Sequence, residues 1–159
     1  MHTNLNQTHQ ANFIFKLSDN KLNTFEFFIN EFSGLGLTLN EAPGQFWQGI
    51  GIKRPGDFLT FNDISLQVIV DEDYEVLVEI INYFNAVRSL DPNKLDWNHN
   101  FTGTLFATTN KNNFKKKFNF FNCWIKDMSD FTFSTNQTDD VPIILSVTMA
   151  FDYYTISRL

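Results

Sequence analysis

The stretch GDFLTFNDISLQVIVDED, residues 56–73, runs from turn chemistry through a strand to the start of a helix. Ile64-Ser65-Leu66-Gln67-Val68 alternates apolar and polar side chains before Ile69-Val70, the period of two shown by a strand with one buried face. Asp71-Glu72-Asp73 then supplies carboxylates that can accept hydrogen bonds from the unpaired N–H groups at a helix start. Beyond them Leu77, Ile80, Ile81, Phe84 and Val87 recur at helical spacing, which predicts an amphipathic helix from Asp73 to Arg88. Arg88 suits the negative end of the helix dipole, and Asp91-Pro92-Asn93 marks the exit.

Upstream, the chain from Ser33 to Gly56 holds six of the seven glycines (Gly34, Gly36, Gly44, Gly49, Gly51, Gly56) together with Phe46 and Trp47. Glycines ask for unusual backbone angles, and large aromatics are out of place in a mere linker. A long, partly ordered loop or hairpin is expected, serving as an arm that touches a partner. Before it, Phe13 to Leu17 reads as a first strand stopped by Ser18-Asp19-Asn20, with a hairpin plausible there. The nearly continuous apolar run from Thr24 to Phe32 reads as a second strand covered on both faces. Residues 1–11 are polar and without period, an expected flexible arm.

Downstream, strands are expected at Thr102 to Thr108, Phe118 to Ile125 and around Phe131 to Phe133, with a turn at Asn110 to Asn113. From Pro142 to Tyr154 the alternation is longest. It places Ile143, Leu145, Val147, Met149, Phe151 and Tyr153 on one face of a single strand, and Ile144, Ser146, Thr148, Ala150, Asp152 and Tyr154 on the other.

The 159 residues suit one domain, and 43% apolar with 16% aromatic content, including 19 Phe, suits a packed β-rich core. A formal charge of −6 disfavours non-specific attraction to nucleic acid. Cys123 is the only cysteine, so no intramolecular disulfide or cysteine metal cage is expected, and a buried thiol next to Trp124 is. The first residues, MHTNLNQTHQAN, lack the pattern of a secretion signal, and no apolar run approaches the roughly 20 residues that cross a bilayer. A soluble protein without membrane contact is expected.

Catalytic chemistry finds no convergent set. His2 and His9 fall in the arm and His99 in a loop, so a Cys123–His99 pair would depend on chance proximity. Asp71, Glu72 and Asp73 lack the ligand spacing of a calcium loop, Asp139-Asp140 reads as a polar turn, and Gly34-Leu35-Gly36 is too short for a dinucleotide fingerprint. Lys115-Lys116-Lys117, flanked by Phe114 and Phe118, has the interleaving of a single-strand binder. It reads better as a solvated strand end or an inter-subunit salt-bridge site. The sequons at Asn6, Asn100 and Asn136 lack a secretory context. Neither an enzyme, a cofactor nor a metal is expected.

Two passages resemble the tail-tube proteins of contractile phages, whose fold is shared with type VI secretion tube proteins and baseplate tube initiators. One is Gly56 to Val70 with Asp71-Glu72 and the helix. The other runs from Trp124 through Phe131-Thr132-Phe133 to Val147-Thr148-Met149-Ala150-Phe151-Asp152-Tyr153-Tyr154. The likeness spans most of residues 12–154; Leu90 to Gly103 has no match, and Thr155 to Leu159 extends past the usual end.

The resemblance implies a mainly β (α+β) fold, an antiparallel β-barrel or sandwich with one flanking amphipathic helix, as a single domain over residues 12–154. It implies a structural virion protein of the phage tail, assembled in the host cytoplasm. The leading expectation is a subunit of the inner tube, in stacked hexameric rings within a sheath, conducting genomic DNA without binding it specifically. A baseplate or hub adaptor, tube initiator or tube terminator is the alternative, and a stand-alone β-sandwich binding a ligand or peptide is a more distant one. Partners would be other copies of the chain, the tail sheath, and baseplate or terminator proteins. The expected subunit interface comprises Leu35, Leu37, Leu39, Phe46, Trp47, Ile50 and Ile52 on the arm, with Ile144 and Tyr154 on the closing strand.

Overall fold

A computed structural model describes residues 13–18, 22–42, 44–47, 50–89, 100–108, 114–131, 133 and 141–158, the side chains at 45–47, 52 and 115 excepted. The N-terminal arm, Asp19-Asn20, Asp91-Pro92-Asn93, the Asn110 to Asn113 turn, most of the Leu90 to Gly103 connection, all three histidines, Asn6, Asn136 and Asp139-Asp140 lie outside the described residues.

The first strand, β1 (Phe13–Leu17), pairs antiparallel with β8 (Phe101–Thr108), and no hairpin with the following segment forms. The expected second strand divides instead into a short helix, α1 (Asn23–Phe27), and β2 (Ile29–Ser33). Leu22 and Phe25, three residues apart, are both buried, the spacing of one helix face. Helix α2 (Glu75–Arg88) completes the start of α1: the Glu79 carboxylate accepts the N–H groups of Thr24 at 3.1 Å and Phe25 at 2.8 Å. Those donors have no partner inside the helix, so a long-range carboxylate makes it viable. An apolar run alone could not separate this from a strand.

β7 (Ile64–Ile69) follows the predicted alternation, with Ile64, Leu66 and Val68 fully buried. Asp71 caps α2 as expected, its two carboxylate oxygens accepting the N–H groups of Glu75 and Val76, each at 3.0 Å. The buried stripe of α2 is rotated from the predicted one. Val76, Ile80 and Tyr83 are buried and Leu77 and Phe84 half-buried, whereas Ile81 and Val87 are exposed. The Tyr83 hydroxyl explains the rotation: it accepts the N–H of Ile125 at 3.3 Å, and its ring packs edge-on against Phe101.

β9 (Phe114–Met128) is longer than predicted because it serves two parts of the sheet. Its first part pairs with β8 on one edge and β11 (Tyr153–Arg158) on the other; its last part pairs with β10 (Ile144–Ala150). The division falls at Asn122, whose φ of 55° is a left-handed angle that Asn tolerates. The Asn122 amide donates to Asp152 Oδ2 at 2.6 Å, and the Asp152 N–H donates to the Phe121 carbonyl at 3.1 Å. This lock breaks the single closing strand predicted from Pro142 to Tyr154. Leu145, Val147 and Met149 keep the predicted phase and are buried, but after the corner Tyr153 turns outward onto Phe121, and Tyr154 turns inward. Thr155 to Arg158, expected to lie beyond the domain, form most of β11. Phe131 and Phe133, expected in a strand, lie outside one; Phe131 rests on the core.

The main sheet therefore runs β1-β8-β9-β10-β7-β2, with β11 also on β9. Its two terminal strands face one another through rings: Phe32 of β2 lies 5.3 Å from Phe15 and 6.4 Å from Phe13 of β1. Phe120 stands at the centre, fully buried among Phe15, Phe32, Phe151 and Tyr154 with centroids 5.1 to 6.1 Å away. Opposite Phe120, Gly103 lets the Phe15 ring lie on the sheet, since a Cβ there would come within 2.9 Å of it. Among the described residues no helix is long and apolar enough to cross a membrane.

Cys123 is fully buried, and burial pushes its thiol up to about 11. A thiol reagent at mildly alkaline pH is therefore expected to modify it only after denaturation, because the thiolate is the reacting species. Rapid stoichiometric labelling of the native chain would contradict this.

Candidate assembly surface

The glycine-rich segment folds as a two-stage ribbon. β3 (Leu37–Glu41) pairs with β6 (Pro55–Phe61), and β4 (Gln45–Trp47) pairs with β5 (Ile50–Ile52) farther out. The expected arm is thus ordered by antiparallel pairing. Neither β3 nor β6 joins the main sheet, so each leaves an edge of unpaired backbone groups.

Its root is fixed to the core. The Tyr154 hydroxyl donates to the Leu35 carbonyl at 3.4 Å, and the Phe61 ring packs 5.3 Å from Tyr154 and 5.9 Å from Phe151. Farther along, Asn40 Oδ1 accepts the Phe58 N–H at 2.7 Å. A Cβ at Gly56 would lie 2.5 Å from that oxygen, so a glycine is needed for the close approach. The Lys53–Glu41 ion pair, at 3.3 Å, is well exposed and contributes little.

Register places Leu37 opposite Phe61 and Leu39 opposite Leu59, so all four lie on one face of the ribbon. Phe61 reaches the core, but Leu37, Leu39 and Leu59 are each about half exposed, Ile50 64% and Phe58 74%. An apolar row that runs from the core into solvent makes this ribbon the candidate contact surface. Full burial of each such side chain contributes about 1.5–3 kcal/mol.

The predicted interface residues divide. Leu37, Leu39 and Ile50 share the exposed ribbon. Phe46, Trp47 and Ile52 contribute its outer strands, with Phe46 opposite Gly51 and Trp47 opposite Ile50. Leu35, at φ 69°, and Tyr154 are half-buried and meet at the root. Ile144 is exposed but stands at the start of β10 opposite Ile69, away from the ribbon in sheet order. Phe58 and Leu59, two and three residues after Gly56, are exposed on the same ribbon and were not among the expected interface residues. Val78 and Ile81 on α2 and the 81% exposed Phe27 are further exposed apolar side chains outside the expected set. Among the described residues no group of His, Cys, Asp and Glu could hold a metal ion.

No family model matches the chain. A sequence relative is the tail tube terminator protein of Enterobacteria phage T4, 24% identical over 170 residues, covering 96% of this chain and 90% of that one. The tube terminating cap of the anti-feeding prophage superposes with a TM-score of 0.69 at 15% identity, over 100% of this chain and 96% of the other. The sheath-tube complex of an extracellular contractile injection system, PVC, gives 0.66 at 18% identity, over 96% and 93%. The paired arm, the wrapped antiparallel sheet and these full-length likenesses agree: the chain has the tube fold shared by contractile phage tails and contractile injection systems.

Proposed function

We propose that this chain is a non-enzymatic structural subunit of a contractile tail, forming a ring that ends the inner tube. The observation that carries this reading is the likeness to a phage tube terminator, detectable in sequence and running nearly end to end through both chains. The ribbon supports ring formation physically. A projecting pair of strands with free edges and an exposed apolar row is a liability in a lone monomer, and ring closure between copies removes it. Its partners are other copies of the chain, tube subunits below the ring and the sheath around it, with genomic DNA passing through without specific binding. The particle tail is its location, after assembly in the host cytoplasm.

The main tube subunit remains a second reading, favoured by the comparable superposition on a sheath-tube complex. Electron microscopy of the purified protein separates the two. Rings about 10 nm across, a size set by compact domains of this length around a channel, support the terminator. Long tubes of stacked rings favour the second reading, and monomers at high concentration argue against both.

A further inference from the structure

We propose that copies of this chain meet head to tail through charge, the basic end of the β9–β11 ladder on one copy receiving the acidic approach to α2 on the next. Lys116 and Arg158 stand directly opposite one another across β9 and β11, and both are exposed. Like charges so placed repel, because paired Cβ atoms lie only about 5 Å apart. Neither has an acidic partner among the described residues, where the ion pairs are Lys53–Glu41 and Lys126–Asp63. Lys117 adds a third cation on the other face, its ammonium 5.8 Å from the centre of the Phe106 ring. The segments that build this end, residues 13–16, 104–108, 114–118 and 155–158, contain no Asp or Glu.

The opposite composition occurs where β10, which pairs with the last part of β9, begins. β10 begins beside Ile69, next to Asp71-Glu72-Asp73 and Glu75, and no Lys or Arg occurs from Ile64 to Val87. Asp71 is engaged on the start of α2, but Glu72, Asp73 and Glu75 are exposed. β10 and β11, seven and six residues long, connect the two ends. At about 3.3 Å per residue each strand adds roughly 20 Å of separation, less what the corner at Asp152 takes back. A chain of net charge −6 repels its own copies unless unlike patches face each other. Two complementary patches at different places make a heterologous contact, the kind that closes into rings. This rests on the ring reading above and adds which surfaces meet.

The test uses two charge-reversed chains, K116E/R158E and E72K/D73K, with circular dichroism and melting to verify folding. In sedimentation velocity each alone is expected to stay monomeric where the unaltered chain forms rings. An equal mixture is expected to assemble, since the acidic ends of one variant meet the basic ends of the other. Salt of about 1 M, which shortens screening to about 3 Å, weakens the assembly. If a reversed chain misfolds, the milder K116Q/R158Q is read in its place. It is expected to raise the concentration for half-assembly about tenfold or more, the factor that corresponds to about 1.4 kcal/mol. Variants that assemble like the unaltered chain, or a mixture that stays monomeric, overturn the charged contact and leave the ring reading standing. An unaltered chain that never forms rings overturns both.

Discussion

Deleting Leu39 to Gly51 is expected to leave a folded domain that no longer assembles. The deletion removes β4, most of β5 and most of β3, and with them Leu39, Ile50 and the free edge of β3. The seven-stranded main sheet, its core and both helices stay intact, because β3 to β6 share no strand pairing with it. The root contacts survive as well: Tyr154 still reaches the Leu35 carbonyl, and Phe61 still packs on Phe151. Near-native circular dichroism and melting, combined with a purely monomeric sedimentation profile, are the predicted results. Unchanged ring formation would show that the arm is dispensable.

The second large effect lies in the core. Phe120→Ala removes the ring around which Phe15, Phe32, Phe151 and Tyr154 pack. Large-to-small changes of a buried Phe cost about 3–5 kcal/mol, against a total stability of about 5–15 kcal/mol for a domain. Phe120 touches rings on both terminal strands and on the segment after the corner, so the cavity sits where the wrapped sheet closes. The variant is expected to lose about a fifth or more of its unfolding free energy in denaturant titration, with a correspondingly lower melting temperature. A loss below about 1 kcal/mol, the scale of an ordinary substitution, would mean that the closure does not depend on this ring. Phe121→Ala, one residue away on the outer face against Tyr153, is the matched control and should cost much less.

The sequence was most legible where local pattern and tertiary structure agree. Ile64 to Ile69 alternates because one face is buried, and Asp71 caps because its carboxylate lies within four and five residues of the Glu75 and Val76 N–H groups that open α2. It misled where distant partners decide. The helical state of Asn23 to Phe27 depends on Glu79, which lies on another helix. The break in the closing strand depends on Asn122 donating to Asp152, thirty residues apart. The turn of Tyr154 inward follows from that break, so no periodicity within Pro142 to Tyr154 could reveal it.

The arm was legible as an arm from its glycines and aromatics, but its pairing register was not. Register is what gathers Leu37, Leu39 and Leu59 on one face and adds Leu59 to the surface. The role of the chain within a tail was less legible still, since a sheath-tube complex and a tube terminating cap both superpose on this one fold. The expectation of a main tube subunit came from the resemblance of two sequence passages to tail-tube proteins; the preference for a terminator comes from the sequence relative.

The most direct test of the ring-at-the-end reading is antibody labelling of this chain in electron micrographs of intact tail particles. The proposed terminator predicts label at one end of the tube alone, in the amount of a single ring. Label distributed along the whole tube length would contradict it.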